Sequence, residues 1–277
     1  MKWQASFLIA MAIFISGIAY AQVKIPAPSP TQTIKQDFAL GNIEITYSRP
    51  SAKGRLVFGG LVPFGKLWRT GANKATIIKF SDIVYINGKK IDSGAYALYS
   101  IPGEEEWEII LNKGITNWGT TNYKESDDVV RIKVPTKKNK NNIEDFTIQF
   151  ANILPESCDI QLIWQKTQVE IPLTSPIKNR IRTQIEQAMN TDKKPYYLAA
   201  QFYYEYDKNY TKALENISNA VKENPKAYYM WLYKAKIEKE MGNKAAAKIS
   251  SQTSLSLATE QKNDDYIKLN EDFLKKL

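Results

Sequence analysis

The chain has 277 residues, one cysteine, no histidine and a formal net charge of +9. The absence of histidine excludes Ser-His-Asp triads, Cys-His pairs and imidazole metal ligands, and the lone Cys158 excludes an internal disulfide and a thiolate metal cluster. The composition, 43% hydrophobic and 24% charged, is that of a globular protein with one large or two modest domains. We therefore expect no metal site and no cofactor.

The first segment, residues 1–21, is predicted to be a cleavable signal peptide. Lys2 is followed by the apolar run 7–18, which is short for a membrane span, and residues 19–21 form a small-x-small cleavage pattern. Cleavage after Ala21 leaves no predicted transmembrane segment, and an uncleaved anchor is the alternative. Export predicts a periplasmic or secreted protein, for which nucleic acid is not the expected partner.

Residues 22–33 form a predicted linker, in which three prolines favour an extended chain. Alternating apolar residues then predict about nine short strands between residues 34 and 173, for example 43–47, 160–164 and 169–173. The Asn87-Gly88 dipeptide between two such segments predicts a tight hairpin turn. Because no long helical connection interrupts the strands, we expect antiparallel sheets that form a sandwich or barrel.

Residues 177–277 show helical spacing of apolar residues, with breaks at 207–209, 224–225, 242–243 and 263–264. Three positions recur 34 residues later, which is the tetratricopeptide period. These pairs are Tyr197 and Trp231, Ala213 and Ala247, and Ala220 and Ser254. The sequence thus predicts an α+β multidomain protein, with an antiparallel β-sandwich- or barrel-like domain followed by a small tetratricopeptide-like α-helical unit. We expect that unit to pack against the β-domain or a partner.

Four stretches of the β-region form a distinctive motif set: residues 47–55, 58–73, 93–99 and 117–123. With these motifs the region 32–173 resembles the DUF2911 family. The resemblance implies an exported protein of a type common in Bacteroidetes, often with a helical tail after the β-domain. It implies no established activity.

Polar and aromatic residues in or beside these motifs are the candidate ligand-binding residues. Arginine forks recognise carboxylate or phosphate, flat aromatic rings stack on sugar faces, and loops on a rigid sandwich carry such groups. For each residue a structural role is the alternative: tryptophans as core residues and arginines as braces for loop carbonyls. The candidates are Arg49, Arg55, Trp68, Arg69, Asn73, Trp118, Tyr123 and Arg131.

Aromatic residues are unusually dense in the first helices of the helical region. Tyr197, Tyr204 and Trp231 are the candidate partner-binding residues, although an interface between the two domains explains the same density.

The leading interpretation is a non-catalytic binding or assembly protein of the bacterial cell envelope. Its helices would contact an envelope protein, and its Arg/Trp loops would bind a glycan or an anionic ligand. The alternative is a glycan-acting hydrolase that uses loop carboxylates at Asp92, 104–106 or 127–128. Cys158 has no histidine base, so we expect an idle thiol.

Overall fold

The computed structural model describes residues 25–277. The predicted signal peptide, residues 1–21, lies outside the described residues, as does the start of the predicted linker. The described elements, in chain order, are β1 (Thr31–Phe38), β2 (Gly41–Ser48), β3 (Thr76–Phe80), β4 (Val84–Ile86), β5 (Lys89–Ile91), β6 (Gly94–Ile101), β7 (Glu106–Asn112), a 3-10 turn (Glu125–Asp127), β8 (Asp128–Pro135), β9 (Lys137–Ala151), β10 (Ser157–Thr174), α1 (Lys178–Ala188), α2 (Tyr196–Glu205), α3 (Tyr210–Glu223), α4 (Tyr228–Glu240), α5 (Lys244–Glu260) and α6 (Asp264–Lys275).

The strands form two antiparallel sheets, which confirms the predicted architecture. One sheet has the order β1-β2-β3-β6-β7-β8, and the other has the order β5-β4-β10-β9. The larger of two hydrophobic clusters in the described β-domain draws on both sheets, with residues such as Ile45 and Ile109 from the first and Phe146 and Leu162 from the second. The β-domain is therefore a sandwich whose inner faces supply alternate residues of each strand.

Two strands differ from the sequence prediction. β1 begins at Thr31, three residues before the predicted start of the β-domain. The sequence does not predict this start, because residues 31–37 are exposed or half-buried and their apolar pattern is weak. The predicted strands 160–164 and 169–173 are parts of one long strand, β10. The pairing of β10 with β9 shifts register around Gln165, which has a φ of 50°, and this bulge breaks the apolar alternation.

The helices pack against their chain neighbours in series from α2 to α6. Asparagine side chains cap the starts of α3, α5 and α6, and α5 starts 34 residues after α3. Small residues are fully buried where these helices meet, which allows close approach of their backbones. The fully buried small residues include Ala200, Ala213, Ala235, Ala247, Ser251, Ser254 and Ala258.

Polar contacts join the helical unit to the β-domain at the start of α1. Glu156 Oε1 accepts hydrogen bonds from the backbone N–H groups of Ile177, at 2.7 Å, and Lys178, at 3.0 Å. Arg180 Nη1 forms an ion pair with Asp82 Oδ2 at 2.7 Å. Most of the helical aromatics instead share one core among the helices.

Candidate functional site

Three of the sequence motifs meet at Trp118. The backbone N–H of Ala75 donates to the carbonyl of Asn117 at 3.4 Å, and that of Gly119 donates to the carbonyl of Asn73 at 3.1 Å. Between them, Trp118 forms an isolated antiparallel bridge with Lys74. The Asn73 side chain donates to Ser48 Oγ at 3.3 Å, which ties the motif 47–55 to the same point.

Trp118 is held by its backbone while its side chain is 59% exposed. The indole forms a wall shared by two clefts, which we name the polar cleft and the apolar cleft. The polar cleft, about 370 Å³, is lined by Leu61, Val62, Pro63, Lys66, Leu67, Trp68, Arg69, Trp118, Gly119, Thr120 and Thr121. The apolar cleft, about 580 Å³, is lined by Ala27, Thr31, Thr46, Tyr47, Ser48, Asn73, Lys74, Ala75, Ile77 and Trp118.

Arg69 braces one side of the Trp118 loop and also faces the polar cleft. Its Nη1 donates to the carbonyl of Asn73 at 3.0 Å, and this is the one hydrogen bond of the guanidinium group among the described residues. Gly119 has a φ of 63°, and a Cβ at this position would lie 2.7 Å from Arg69 Nη1. Glycine therefore allows both the turn and the close approach of Arg69.

Asp128 organises the other side of the loop. Its Oδ2 accepts from Arg131 Nε at 2.7 Å and from the Tyr123 hydroxyl at 2.8 Å, and its Oδ1 accepts from Asn112 Nδ2 at 2.7 Å. Arg131 Nη1 also pairs with Glu108 at 3.1 Å. Burial, together with the hydrogen bond to Asp128, raises the pKa of Tyr123 to about 12.

Asn112 belongs to this network, whereas Asn117 makes a separate contact at the start of the Trp118 loop, and neither is among the predicted site residues. Asn112 Nδ2 also donates to the carbonyl of Lys124 at 2.9 Å, and Asn117 Nδ2 donates to the Tyr99 hydroxyl at 3.2 Å. Both asparagines are buried. The sequence feature that could have identified Asn112 is its position as a polar residue directly after the apolar run 107–111.

Arg49 and Arg55 lie outside both clefts and bind protein groups. Arg49 donates to the carbonyl of Phe146 at 3.2 Å and to Thr147 Oγ1 at 2.9 Å. Arg55 donates to the carbonyls of Ala52 at 2.9 Å and Ser51 at 2.8 Å. These contacts agree with the structural alternative, in which the arginines brace the chain and do not bind a ligand.

Residues 29–173 match the family model described as a protein of unknown function, DUF2911. The match covers more than half of the chain. This protein belongs to the DUF2911 family. No curated protein and no solved structure matches the chain. The matched region of this DUF2911 member starts two residues before β1 and ends one residue before the end of β10.

Trp68 lies in the core of the DUF2911 domain. It is 8% exposed, and its ring contacts Phe58, Trp107, Phe146 and Trp164 at centroid distances of 5.0 to 6.0 Å. Its indole N–H donates to the carbonyl of Gly71 at 3.0 Å. Trp68 and Trp118 thus have opposite placements, although they belong to the same motif set of the family.

None of the carboxylates proposed for the hydrolase alternative is among the residues that line the clefts at Trp118. Asp92 pairs with Lys90 at 2.7 Å, Glu106 pairs with Lys133, and Asp128 binds Arg131. Among residues 25–277, no carboxylate lines either cleft beside Trp118, and no cluster of three or more His, Cys, Asp or Glu residues could hold a metal ion. The Cys158 thiol of the DUF2911 domain is buried, and burial raises its pKa to about 12.

Tyrosines form a continuous series of ring contacts across α2, α4 and α6 in the helical unit that follows the DUF2911 domain. Neighbouring ring centroids lie 4.7 to 5.9 Å apart. We name this series the tyrosine row: Tyr204, Tyr233, Tyr197, Tyr229, Tyr228 and Tyr266. Two of the three predicted partner-binding residues belong to it. The third, Trp231, donates its indole N–H to the carbonyl of Pro225 at 2.9 Å.

Within the described part of the chain, no helix is both long enough and apolar enough to cross a membrane.

Proposed function

We propose that this protein is an exported, non-catalytic binding protein of the bacterial cell envelope, of the kind common in Bacteroidetes. It would reside in the periplasm or be secreted after cleavage at Ala21. Its β-domain would bind a glycan or an anionic ligand at Trp118. The observation that carries this proposal is the exposure of Trp118 on a loop that is fixed by hydrogen bonds from both sides. Large aromatic side chains held rigidly in this way are typical of binding sites.

The other predicted ligand-binding residues divide into two groups around Trp118. Arg69 combines a bracing bond with free donors that face the polar cleft, so it is the best candidate for a second direct contact. Tyr123 and Arg131 are bound to each other and to Asp128, so we assign them the role of positioning residues. Asn73 positions the loop through its backbone carbonyl and through its side chain, which donates to Ser48 Oγ.

Replacing Trp118 by alanine is expected to abolish binding of envelope glycans and anionic ligands while changing the melting temperature little, because the side chain is mostly exposed. Ile115→Ala is the matched control, since Ile115 is an exposed residue in the same loop that lines neither cleft. Binding is measured by calorimetry over a ligand panel. Full retention of binding by Trp118→Ala would refute the site.

Arg69→Ala and Asn73→Ala separate ligand contact from bracing. If both variants bind ligand as the wild type does but melt at a lower temperature, these two residues only brace the loop. If Arg69→Ala melts like the wild type and binds more weakly, Arg69 contacts the ligand directly.

We also propose that the helical unit contacts a protein partner of the envelope through a tetratricopeptide-like arrangement. The tyrosine row supports this function, because tyrosines are enriched in protein interfaces and the row includes the exposed Tyr229. The 34-residue offset between α3 and α5 supports the repeat interpretation.

Tyr229→Ala in the full chain is expected to weaken capture of an envelope protein by at least tenfold, because a tyrosine that acts as an interface hot spot contributes about 2 kcal/mol or more, which is about thirtyfold. Ile249→Ala is the control, since Ile249 is exposed on α5 and lies outside the row. Capture is quantified by mass spectrometry after pull-down from an envelope fraction. Equal loss in both variants would contradict a role for the row.

The hydrolase alternative has weaker support. A glycosidase needs two carboxyl groups that face each other across the substrate. The clefts at Trp118 have no such pair among the described residues, so the exposed aromatic favours binding without hydrolysis.

A further inference from the structure

The two clefts that share Trp118 differ in chemical character. The polar cleft combines the cations Lys66 and Arg69 with the hydroxyls of Thr120 and Thr121. The apolar cleft presents mainly carbon atoms, from residues such as Ile77 and Trp118, and Lys74 is the one charged residue in its lining among the described residues. A ligand that extended over Trp118 would therefore meet two cations on one side of the indole and a mainly apolar lining with one cation on the other.

The polar cleft favours an anionic group. Among the described residues, it has two cationic side chains and no carboxylate in its lining. Arg69 keeps free N–H donors there, since its one hydrogen bond goes to the carbonyl of Asn73. A guanidinium group with free donors binds phosphate or carboxylate oxygens through charge-assisted hydrogen bonds. Lys66 adds a second positive charge without a protein partner among residues 25–277.

The apolar cleft favours an alkyl chain. Its volume, about 580 Å³, exceeds that of the polar cleft, and it lies over the end of the sheet where β1, β2 and β3 pair. Burial of an alkyl chain contributes roughly 0.8 kcal/mol per CH₂ group, so even a partly covered chain adds affinity. The Trp118 indole suits the boundary, because its body is apolar and its N–H is polar.

We propose that the site at Trp118 binds an anionic amphiphile, with a phosphate or carboxylate head in the polar cleft and an alkyl chain in the apolar cleft. This inference rests on the proposed binding function at Trp118 and adds the chemical class of the ligand. The ligand binds as a single molecule whose two parts lie on opposite sides of the indole. Head and chain together give affinity that neither part has alone.

The test compares monomeric probes that carry one or both parts. The full chain is titrated with dodecyl phosphate below its micelle concentration, with inorganic phosphate and with dodecyl maltoside, and binding is followed by calorimetry. Dodecyl phosphate is expected to bind at least tenfold more tightly than either of the other probes. Anionic phospholipid vesicles form a fourth arm, which measures adsorption to a surface.

Variants assign the two parts to the two clefts. Lys66→Ala is expected to weaken dodecyl phosphate binding up to about fivefold and to leave dodecyl maltoside unchanged, since loss of one ion pair at an exposed lysine costs up to about 1 kcal/mol. Ile77→Ser is expected to weaken both alkyl probes and to leave inorganic phosphate unchanged. Lys89→Ala, at an exposed lysine of the β4–β5 hairpin, is the charge-matched control.

Four results would overturn the proposal. Equal binding of inorganic phosphate and dodecyl phosphate would show a simple anion site, and binding to vesicles alone would show surface adsorption. Trp118-dependent binding of neutral saccharides without binding of dodecyl phosphate would remove the amphiphile but keep the proposed binding function. If Trp118→Ala changes binding of no probe and of no glycan, both proposals fail.

Discussion

Replacing Trp68 by alanine is expected to lower the free energy of unfolding by about 3 to 5 kcal/mol. Trp68 contacts aromatic rings from a loop and from both sheets, including Phe58, Trp107 and Trp164. Its removal leaves a cavity that these rigid rings cannot fill without leaving their preferred rotamers. The carbonyl of Gly71 also loses the hydrogen bond from the indole N–H.

Urea unfolding followed by far-ultraviolet circular dichroism measures this loss. Trp118→Ala is the control, because it removes the same side chain from an exposed position and is expected to change the free energy of unfolding by much less. Comparable losses in the two variants would contradict the placement of Trp68 in the core and Trp118 on the surface.

Replacing Asp128 by alanine is expected to lower the free energy of unfolding by about 2 to 3 kcal/mol and to abolish ligand binding. The Asp128 side chain is 8% exposed and accepts hydrogen bonds from Arg131, Tyr123 and Asn112. Without it, these donors lose their shared acceptor and Arg131 keeps Glu108 as its main partner. The loop that carries Trp118 then loses its brace on this side.

Glu125→Ala is the matched control for Asp128. Glu125 is 75% exposed and lies 3.5 Å from the same Arg131, so its removal is expected to change stability by less than about 1 kcal/mol. Differential scanning calorimetry measures stability, and calorimetric titration measures binding. A double-mutant cycle of Asp128 with Arg131 gives their coupling energy, and a coupling near zero would mean that the loop is held by other contacts.

Replacing Tyr123 by phenylalanine tests the same network through pH. The pKa of Tyr123 is raised to about 12 in the folded protein, above its ordinary value of 10.0. A raised pKa means that the protonated hydroxyl stabilises the fold fully below pH 10 and that this contribution is lost between pH 10 and 12. In the variant, that part of the alkaline loss of melting temperature is expected to disappear.

The sequence predicted the fold class because local patterns determine most of it. Alternation in β2 and the Asn87-Gly88 turn specify strands and a hairpin without reference to the rest of the chain. The edge strand β1 escaped prediction, since none of its residues 31–37 is buried and most of them are polar. The bulge at Gln165 interrupts the apolar alternation, so the sequence predicts two strands where the structure has the single strand β10.

The site was predicted only as a group of candidate residues. Trp68 and Trp118 are the same residue type in neighbouring motifs, and only the packing of the two sheets determines which of them is buried. The sequence indicates Asp128 only as a loop carboxylate of the hydrolase alternative, because its partners Asn112, Tyr123 and Arg131 converge only in the folded domain. Long-range convergence of this kind leaves no periodic signal along the chain.

The junction between the β-domain and the helices depends on contacts between residues of both parts. Glu156 belongs to the β-domain. Its carboxylate accepts hydrogen bonds from the backbone N–H groups at the start of α1, where the helix has no side-chain cap of its own. A β-domain cut at residue 176 would leave this carboxylate without its donors, and helices cut there would begin uncapped. A truncated β-domain that keeps the hydrogen bonds of Glu156 therefore has to include the first turn of α1. The hydrogen bonds to Glu156 and the ion pair between Arg180 and Asp82 therefore tie the start of the helical unit to the β-domain.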